Sequence, residues 1–334
     1  MKVLVTGGAG FIGSHVAEAL LARGDEVICL DNFNDYYDPM AKRRNVAPVL
    51  QHPAYTLYDA DVRDADAVER IFATEQPDKV IHLAAMAGVR YSIERAPLYV
   101  AVNVQGTVNL LEAARRHRIR NFVFASTSSV YGRSEHVPFR EDDPTDRPLA
   151  PYPATKKAGE VMGHAYHNLF GLNFTAVRFF SVYGPRGRPD MMPYMVTDRI
   201  HRDEEIVLFN AGQMHRDWTY IDDIVSGVVA ALDAALPYEI INLGRGEPVL
   251  MADFVRLVEE IVGKRARLVT PPAPASEPPI TYADVSKARR LLGYDPQTSV
   301  AEGMRRFVDW YRREVLSLIH ISEPTRPLYI SYAV

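Results

Sequence analysis

The chain has 334 residues, 47% of them apolar, a formal net charge of −4 and one cysteine. Those values suit a soluble globular protein of one large or two modest domains, with no global attraction to nucleic acid or to an anionic membrane. The lone cysteine excludes an intrachain disulfide and a cysteine-cluster metal site, no run of about 18 apolar residues marks a membrane span, and Met1-Lys2 leads into a strand-like run rather than a secretory leader, so a cytoplasmic protein without a metal is expected.

Lys2–Thr6 reads as the first buried strand. Thr6-Gly7-Gly8-Ala9-Gly10-Phe11-Ile12-Gly13 follows it, with Gly7, Gly10 and Gly13 in G-x-x-G-x-x-G spacing. Glycine there permits a tight turn, close approach of a pyrophosphate and close helix–strand packing, and the helix N-terminus offers N–H groups and partial positive charge to phosphates. Ser14–Arg23 reads as that helix, with Val16, Ala19, Leu20 and Leu21 on its apolar face and Gly24 at its C-terminal cap. Glu26–Leu30 is the second strand, in which Cys29 is a core residue rather than a reactive thiol. Asp31, at its end, is placed to accept hydrogen bonds from an adenosine ribose, and its charge would repel a 2′-phosphate, so NAD is favoured over NADP.

Further strands are predicted at Lys79–Ala84, Asn121–Ala125 and Asn173–Phe179, and helices at Gly106–Arg116 and Thr155–Phe170. Alternating strands and helices predict an α/β fold, a Rossmann-type doubly wound parallel sheet covered on both faces. After Gly184 the loops lengthen and prolines cluster. Helices are predicted at Met251–Val262, Asp284–Leu292 and Val300–Val315, the last with a capping box, Ser299-x-x-Glu302. The expected division is an NAD-binding domain over 1–184 and a smaller α/β substrate-binding lobe over 185–316, with elements free to cross back. Residues 317–334, which include Ser322-Glu323-Pro324-Thr325-Arg326-Pro327, read as a non-native or readthrough tail without catalytic role.

Tyr152 and Lys156, in Pro151-Tyr152-Pro153-Ala154-Thr155-Lys156, lie four residues apart and share a face if a helix starts there. A nearby ammonium favours the phenolate of a tyrosine whose free pKa is near 10, so the pair could remove a hydroxyl proton. It follows the glycine loop by about 140 residues and lies downstream of the hydroxyl cluster Ser126-Thr127-Ser128-Ser129.

These motifs, with Asp31-Asn32, Asp61-Val62, His82-Leu83-Ala84-Ala85, Asn103, Thr127 and Arg178-Phe179-Phe180-Ser181-Val182-Tyr183-Gly184-Pro185, resemble the extended short-chain dehydrogenase/reductase family to about Arg313. The resemblance implies that Gly7, Gly10, Phe11, Ile12, Gly13, Asp31 and Asn32 bind NAD. It implies that Asp61 and Val62 contact adenine, that Leu83, Ala84 and Ala85 line the cofactor channel together with Asn103, and that Lys156 also binds the nicotinamide ribose. It gives Thr127, Tyr152 and Lys156 as the catalytic residues, Thr127 bonding the reacting hydroxyl. Ser128-Ser129 stands where the family's 4,6-dehydratases carry Asp-Glu and its decarboxylases a glutamate, so neither elimination nor programmed decarboxylation is supported.

Ala87-Gly88-Val89-Arg90-Tyr91-Ser92, Arg186-Gly187-Arg188-Pro189-Asp190-Met191-Met192 and Thr281–Ala288 resemble the UDP-glucuronate 4-epimerases. By that resemblance Ser128, Ser129 and Ser181 hold a sugar carboxylate, Arg90, Arg186 and Arg188 hold carboxylate or diphosphate, and Arg216 binds diphosphate. Pro274-Ala275-Ser276-Glu277 replaces the usual x-Pro-Gly-Asp, with Glu277 keeping an acidic contact to the uridine ribose. The implied reaction is oxidation of a UDP-sugar at carbon 4, rotation of the 4-keto sugar and re-reduction, without net consumption of NAD. A homodimer through Gly106–Arg116 and Thr155–Phe170 is implied as well. UDP-glucose 4-epimerase, a nucleotide-sugar reductase with net redox, and a non-catalytic NAD-sensing regulator remain the alternatives.

Overall fold

The computed structural model describes residues 1–134, 136–274 and 277–317. In chain order the elements are β1 (Lys2–Thr6), α1 (Phe11–Ala22), β2 (Glu26–Asp31), α2 (Pro39–Val46), β3 (Tyr55–Asp59), α3 (Ala65–Glu75), β4 (Lys79–His82), α4 (Val89–Glu94) and α5 (Ala96–Tyr99). After a π-helical turn at Val100–Gln105 come α6 (Gly106–Arg116), β5 (Asn121–Thr127), α7 (Pro151–Phe170), β6 (Phe174–Phe179), β7 (Ser181–Tyr183) and α8 (Met192–Arg202). The remainder is β8 (Glu205–Val207), β9 (His215–Tyr220), α9 (Ile221–Ala234), β10 (Tyr238–Leu243), β11 (Pro248–Leu250), α10 (Met251–Val262), β12 (Arg267–Val269), β13 (Ile280–Thr281), α11 (Ser286–Leu292) and α12 (Val300–Tyr311).

Seven parallel strands form the main sheet in the order β10-β6-β5-β4-β1-β2-β3. The order reverses between β1 and β4, which opens a crevice at their carboxyl ends, the place where doubly wound sheets bind ligands. Period-two alternation sends Val3, Val5, Cys29, Ile81, Val123 and Val177 to one core, with α1 and α9. Leu4, Ile28, Val80, Phe122, Phe124 and Phe174 go to the other, with α3, α6 and α7. Both faces are therefore dry, as parallel sheets require.

Five of these strands match the apolar runs expected from the sequence. β3, a polar edge strand, and β10, which the chain reaches only after leaving the sheet and returning through α9, are the two that differ. Asn121 and Lys79 fasten that return, donating to the Ala231 and Leu232 carbonyls and to the Leu232 carbonyl. The segment 221–243 thus belongs to the main sheet although it lies within 185–316. β5 runs two residues beyond its expected end, through Thr127, and α7 starts at Pro151, so Tyr152 sits in its first turn.

The second layer centres on β9, which pairs antiparallel with β11 and parallel with β13 and β7. Cys29 is buried, Gly24 follows α1 with φ +88°, and the Ser299 hydroxyl caps α12 by accepting the Glu302 N–H at 3.2 Å. Of the tail expected over 317–334, residues 318–334 lie outside the described residues, as do Ala275 and Ser276.

Candidate active site

The glycine loop turns at the carboxyl end of β1. Gly7 adopts φ +70°, and a Cβ there would lie 2.7 Å from the Ala84 backbone nitrogen; one on Gly13 would lie 2.1 Å from the Gly7 carbonyl oxygen. Both obstacles are main-chain atoms, so neither position accepts a side chain without moving the loop. Asp31 ties the loop down from β2: its carboxylate accepts the Ala9 N–H at 3.1 Å and the Phe33 N–H at 2.9 Å. A carboxylate has about four acceptor sites, so this leaves capacity for a ligand. Burial raises the Asp31 carboxyl above its usual value.

A cavity of about 330 Å³ runs along this loop to α7, walled by Gly7, Gly10–Gly13, Asp31, Asn32, Val62, Leu83–Ala85, Tyr152, Lys156 and Arg188. Most of the expected cofactor residues therefore share one cleft. Two do not line it. Asp61 spends its carboxylate on Asn32 Nδ2 (2.8 Å) and the Arg63 guanidinium. Asn103 accepts the Met86 N–H at 2.8 Å and donates to the Met86 carbonyl and the Thr155 hydroxyl, so it pins the wall after β4 to α7.

His82 stiffens the same wall. Thr107 donates its hydroxyl hydrogen to the Asn103 carbonyl at 2.6 Å, so it can only accept from His82 Nε2, at 2.9 Å. That sets the proton on Nε2 and leaves Nδ1 to accept from Thr6 Oγ1 at 2.7 Å, while Thr6 accepts the Ala84 N–H. Burial, and then the charge of Lys156, hold this imidazole neutral.

Tyr152 and Lys156 stand one turn apart on α7, as the spacing predicted. α7 reaches the sheet closely because Gly159 has no side chain; a Cβ there would lie 2.3 Å from the Phe124 ring. Burial pushes the Tyr152 hydroxyl up from its ordinary value, while the Arg188 guanidinium and the Thr127 hydroxyl pull it down. The cation acting most on the phenol is therefore Arg188, whereas the four-residue spacing points to Lys156. Lys156, 2% exposed, has its Nζ 4.3 Å over the Phe124 ring, and burial lowers its ammonium to about 7 against the partial support of Glu160.

The other polar candidates lie in separate places. Arg188 enters the cleft, held through Nε and Nη2 by Asp190 Oδ1 and Oδ2, both at 2.9 Å, and Asp190 also accepts the Tyr36 hydroxyl. Arg216 on β9 and Arg90 on α4 meet across Glu277, at 3.0 and 2.8 Å, and Arg90 also lies 4.9 Å over the Phe209 ring. Two cations on one carboxylate leave a net positive charge. Arg186 turns away to Glu18 on α1, at 2.7 Å. Ser128 and Ser129 form the turn after Thr127, whose hydroxyl accepts the Ser129 N–H, and Ser181 opens β7 opposite Trp218.

Asp190, Tyr36 and Glu160 were missed by the sequence reading. Glu160 had a signal, since it continues the four-residue spacing of Tyr152 and Lys156, and Asp190 lies two residues beyond Arg188 in the quoted motif. Among the described residues no group of three or more histidine, cysteine or acidic side chains is arranged to hold a metal ion.

The chain belongs to the NAD dependent epimerase/dehydratase family, which matches residues 3–244. It is 44% identical to UDP-glucuronate 4-epimerase 4 of Arabidopsis thaliana over 93% of this chain and 75% of that protein. The solved UDP-glucuronic acid 4-epimerase of Bacillus cereus, in complex with UDP-glucuronic acid and NAD, superposes with a TM-score of 0.89 at 36% identity, over 94% of this chain and 99% of that one. The UDP-glucose 4-epimerase of Thermotoga maritima, solved with UDP-glucose, superposes at 0.86 and 31% identity, over 94% and 99%.

Proposed function

We propose that this family member is an NAD-dependent UDP-sugar 4-epimerase that interconverts UDP-glucuronate and UDP-galacturonate. The observation that carries the reading is that Tyr152 and Lys156 line the same cavity as the glycine loop and Asp31. A dinucleotide lying from Asp31 along the loop would end beside the phenol.

The residues present fit NAD. Gly7 and Gly13 keep the loop tight, since a Cβ at either would strike the main chain of Ala84 or Gly7, and Asp31 keeps acceptor capacity after anchoring Ala9 and Phe33. The loop's N–H groups would hold the pyrophosphate, Asp31 the adenosine ribose, Val62 the adenine and Lys156 the second ribose. Bound there, NAD supplies the reversible two-electron acceptor that carbon 4 of the sugar needs.

The protein's own part is proton transfer and grip. Tyr152 takes the 4-hydroxyl proton and later returns it, with Thr127 bonding the reacting oxygen. Arg188 and Lys156 favour the phenolate during the step. Ser128, Ser129 and Ser181 hold the sugar carboxylate, which disfavours loss of carbon dioxide from the β-keto acid. Arg90 and Arg216 grip the diphosphate and Glu277 the uridine ribose. Arg186, spent on Glu18, has no part in this scheme.

In this reading 1–184 with the returning segment 221–243 carries the cofactor, and the rest of 185–316 carries the nucleotide sugar. We also take the protein to be a homodimer through α6 and α7, where Val161, Leu169 and Phe170 are exposed on the second helix. Among the described residues no helix is long and apolar enough to cross a membrane.

The test is to incubate the purified protein with UDP-glucuronate, without added NAD, and follow the anomeric proton signals by NMR. Appearance of UDP-galacturonate is expected. Conversion of UDP-glucose alone would overturn the assignment of the serines, and consumption of free NAD with each turnover would overturn the epimerase.

A further inference from the structure

We propose that Glu160 is a positioning residue which, from beneath the cleft, sets the charge that Lys156 carries beside Tyr152. The inference rests on the reading that Tyr152 and Lys156 handle the sugar's proton. Tyr152, Lys156 and Glu160 follow one another at four-residue steps, so they form a single stripe down α7. The stripe runs from the cleft into the core, and Glu160 is fully buried.

Its carboxylate is engaged on both oxygens. Oε1 accepts Ser126 Oγ at 2.6 Å and Arg178 Nε at 2.8 Å; Oε2 accepts Arg178 Nη2 at 2.9 Å and Lys157 Nζ at 3.1 Å. Burial alone would raise this carboxyl, but Arg178, Ser126 and Lys157 hold it below its usual range, so it stays charged. A buried ion pair is seldom the best way to stabilise a core, because apolar residues of equal volume do as well or better. A fixed negative charge one turn from a buried catalytic amine has another use.

Lys156 needs that charge. Among the described residues its Nζ has an aromatic face for a neighbour and no hydrogen bond or ion pair. Burial strips its proton toward neutral pH, and Glu160 is the group whose charge retains it. The other titratable groups packed around this stretch do not replace it. His82 on β4 is neutral, Arg178 on β6 and Lys157 on α7 are bonded to Glu160 itself, and Arg188 acts on Tyr152. Burial raises the hydroxyls of Tyr99, Tyr131 beside Arg178, and Tyr238 on β10, so they stay uncharged.

The experiment is an NMR titration of the Lys156 side chain in protein carrying 13C-labelled lysine, with the resonance assigned by its loss in Lys156→Met. It needs no turnover. In Glu160→Gln the midpoint is expected to fall by about one pH unit, the size of a charge effect at this spacing in a partly screened interior. In Glu160→Asp, which keeps the charge, it should stay close to the parent value. An unmoved midpoint in Glu160→Gln overturns the proposal. If the lone buried Arg178 prevents that variant from folding, Glu160→Gln/Arg178→Met removes both charges of the pair and should still lower the midpoint. The pH profile of kcat gives the link to chemistry: the alkaline limb should move down with the Lys156 midpoint. A uniform loss of kcat at every pH, with the limb in place, would mean a purely structural role and would overturn the proposal. Failure of the parent protein to epimerise any UDP-sugar would instead refute the functional reading, and the titration would still decide whether Glu160 sets the charge of Lys156.

Discussion

Replacing Lys156 with methionine should stabilise the NAD-free protein at mildly acidic pH while stopping turnover. In the unfolded chain a lysine keeps its proton up to its ordinary value of 10.5; in the fold, burial lowers that to about 7. Between those two values the unfolded state binds more protons than the folded one, so stability rises with pH across that window. Below the folded value the full penalty applies, and it is gone above 10.5. At about 1.4 kcal/mol per pH unit the penalty is of order 5 kcal/mol, an upper bound because the chain relaxes around a charged amine. Methionine forfeits the ammonium's contact with the Phe124 ring, about 0.5–2 kcal/mol. The net gain is therefore at most about 3–4.5 kcal/mol at pH 6, fading toward pH 10. Urea unfolding of both proteins at pH 6 and pH 10, followed by circular dichroism, measures it. A stability difference of the same size and sign at both pH values would refute the argument, since no proton linkage at Lys156 would then exist.

Tyr152→Phe should leave the melting temperature within a few degrees of the parent and lower kcat by about 10²–10⁴, the usual worth of a positioned acid–base group; residual turnover within tenfold of the parent would remove Tyr152 from the proton transfer. Gly13→Ala puts a methyl 2.1 Å from the Gly7 carbonyl oxygen, so the loop must open. That variant should lose most of the NAD released on denaturation, and full NAD occupancy would show that the loop does not cradle the cofactor. Leu169→Glu combined with Val161→Glu places charge on the exposed apolar face of α7. Gel filtration with light scattering should then report a monomer from a parent dimer, and an unchanged mass would exclude α7 from the interface.

Much of this molecule could be read in one dimension, for local reasons. The glycine loop, Asp31 and the Tyr152–Lys156 pair each depend on neighbours in sequence: a turn after a strand, an acid at a strand end, a single helical turn. Apolar runs bounded by turns gave the central strands β1, β2, β4, β5 and β6, because parallel strands dry on both faces must be apolar along their length. The first half of the fold and the cofactor cleft follow from that pattern.

The remainder depends on contacts between residues far apart in the chain. β3 is polar at the sheet edge, and β10 joins β6 only after the chain has built β7, β8 and β9 elsewhere, so no local period announces either strand. The charges divide in the same way. Arg186 and Arg188 are two residues apart and read alike, yet Glu18 takes one to α1 while Asp190 and Tyr36 turn the other into the cleft. Arg90 and Arg216 are brought together by Glu277 from a third segment. The order of residues alone determined which groups are available for chemistry. Only the packed chain decided which charges face one another and which amine is dry enough to titrate near neutral pH, because desolvation and Coulomb energy depend on distances in space.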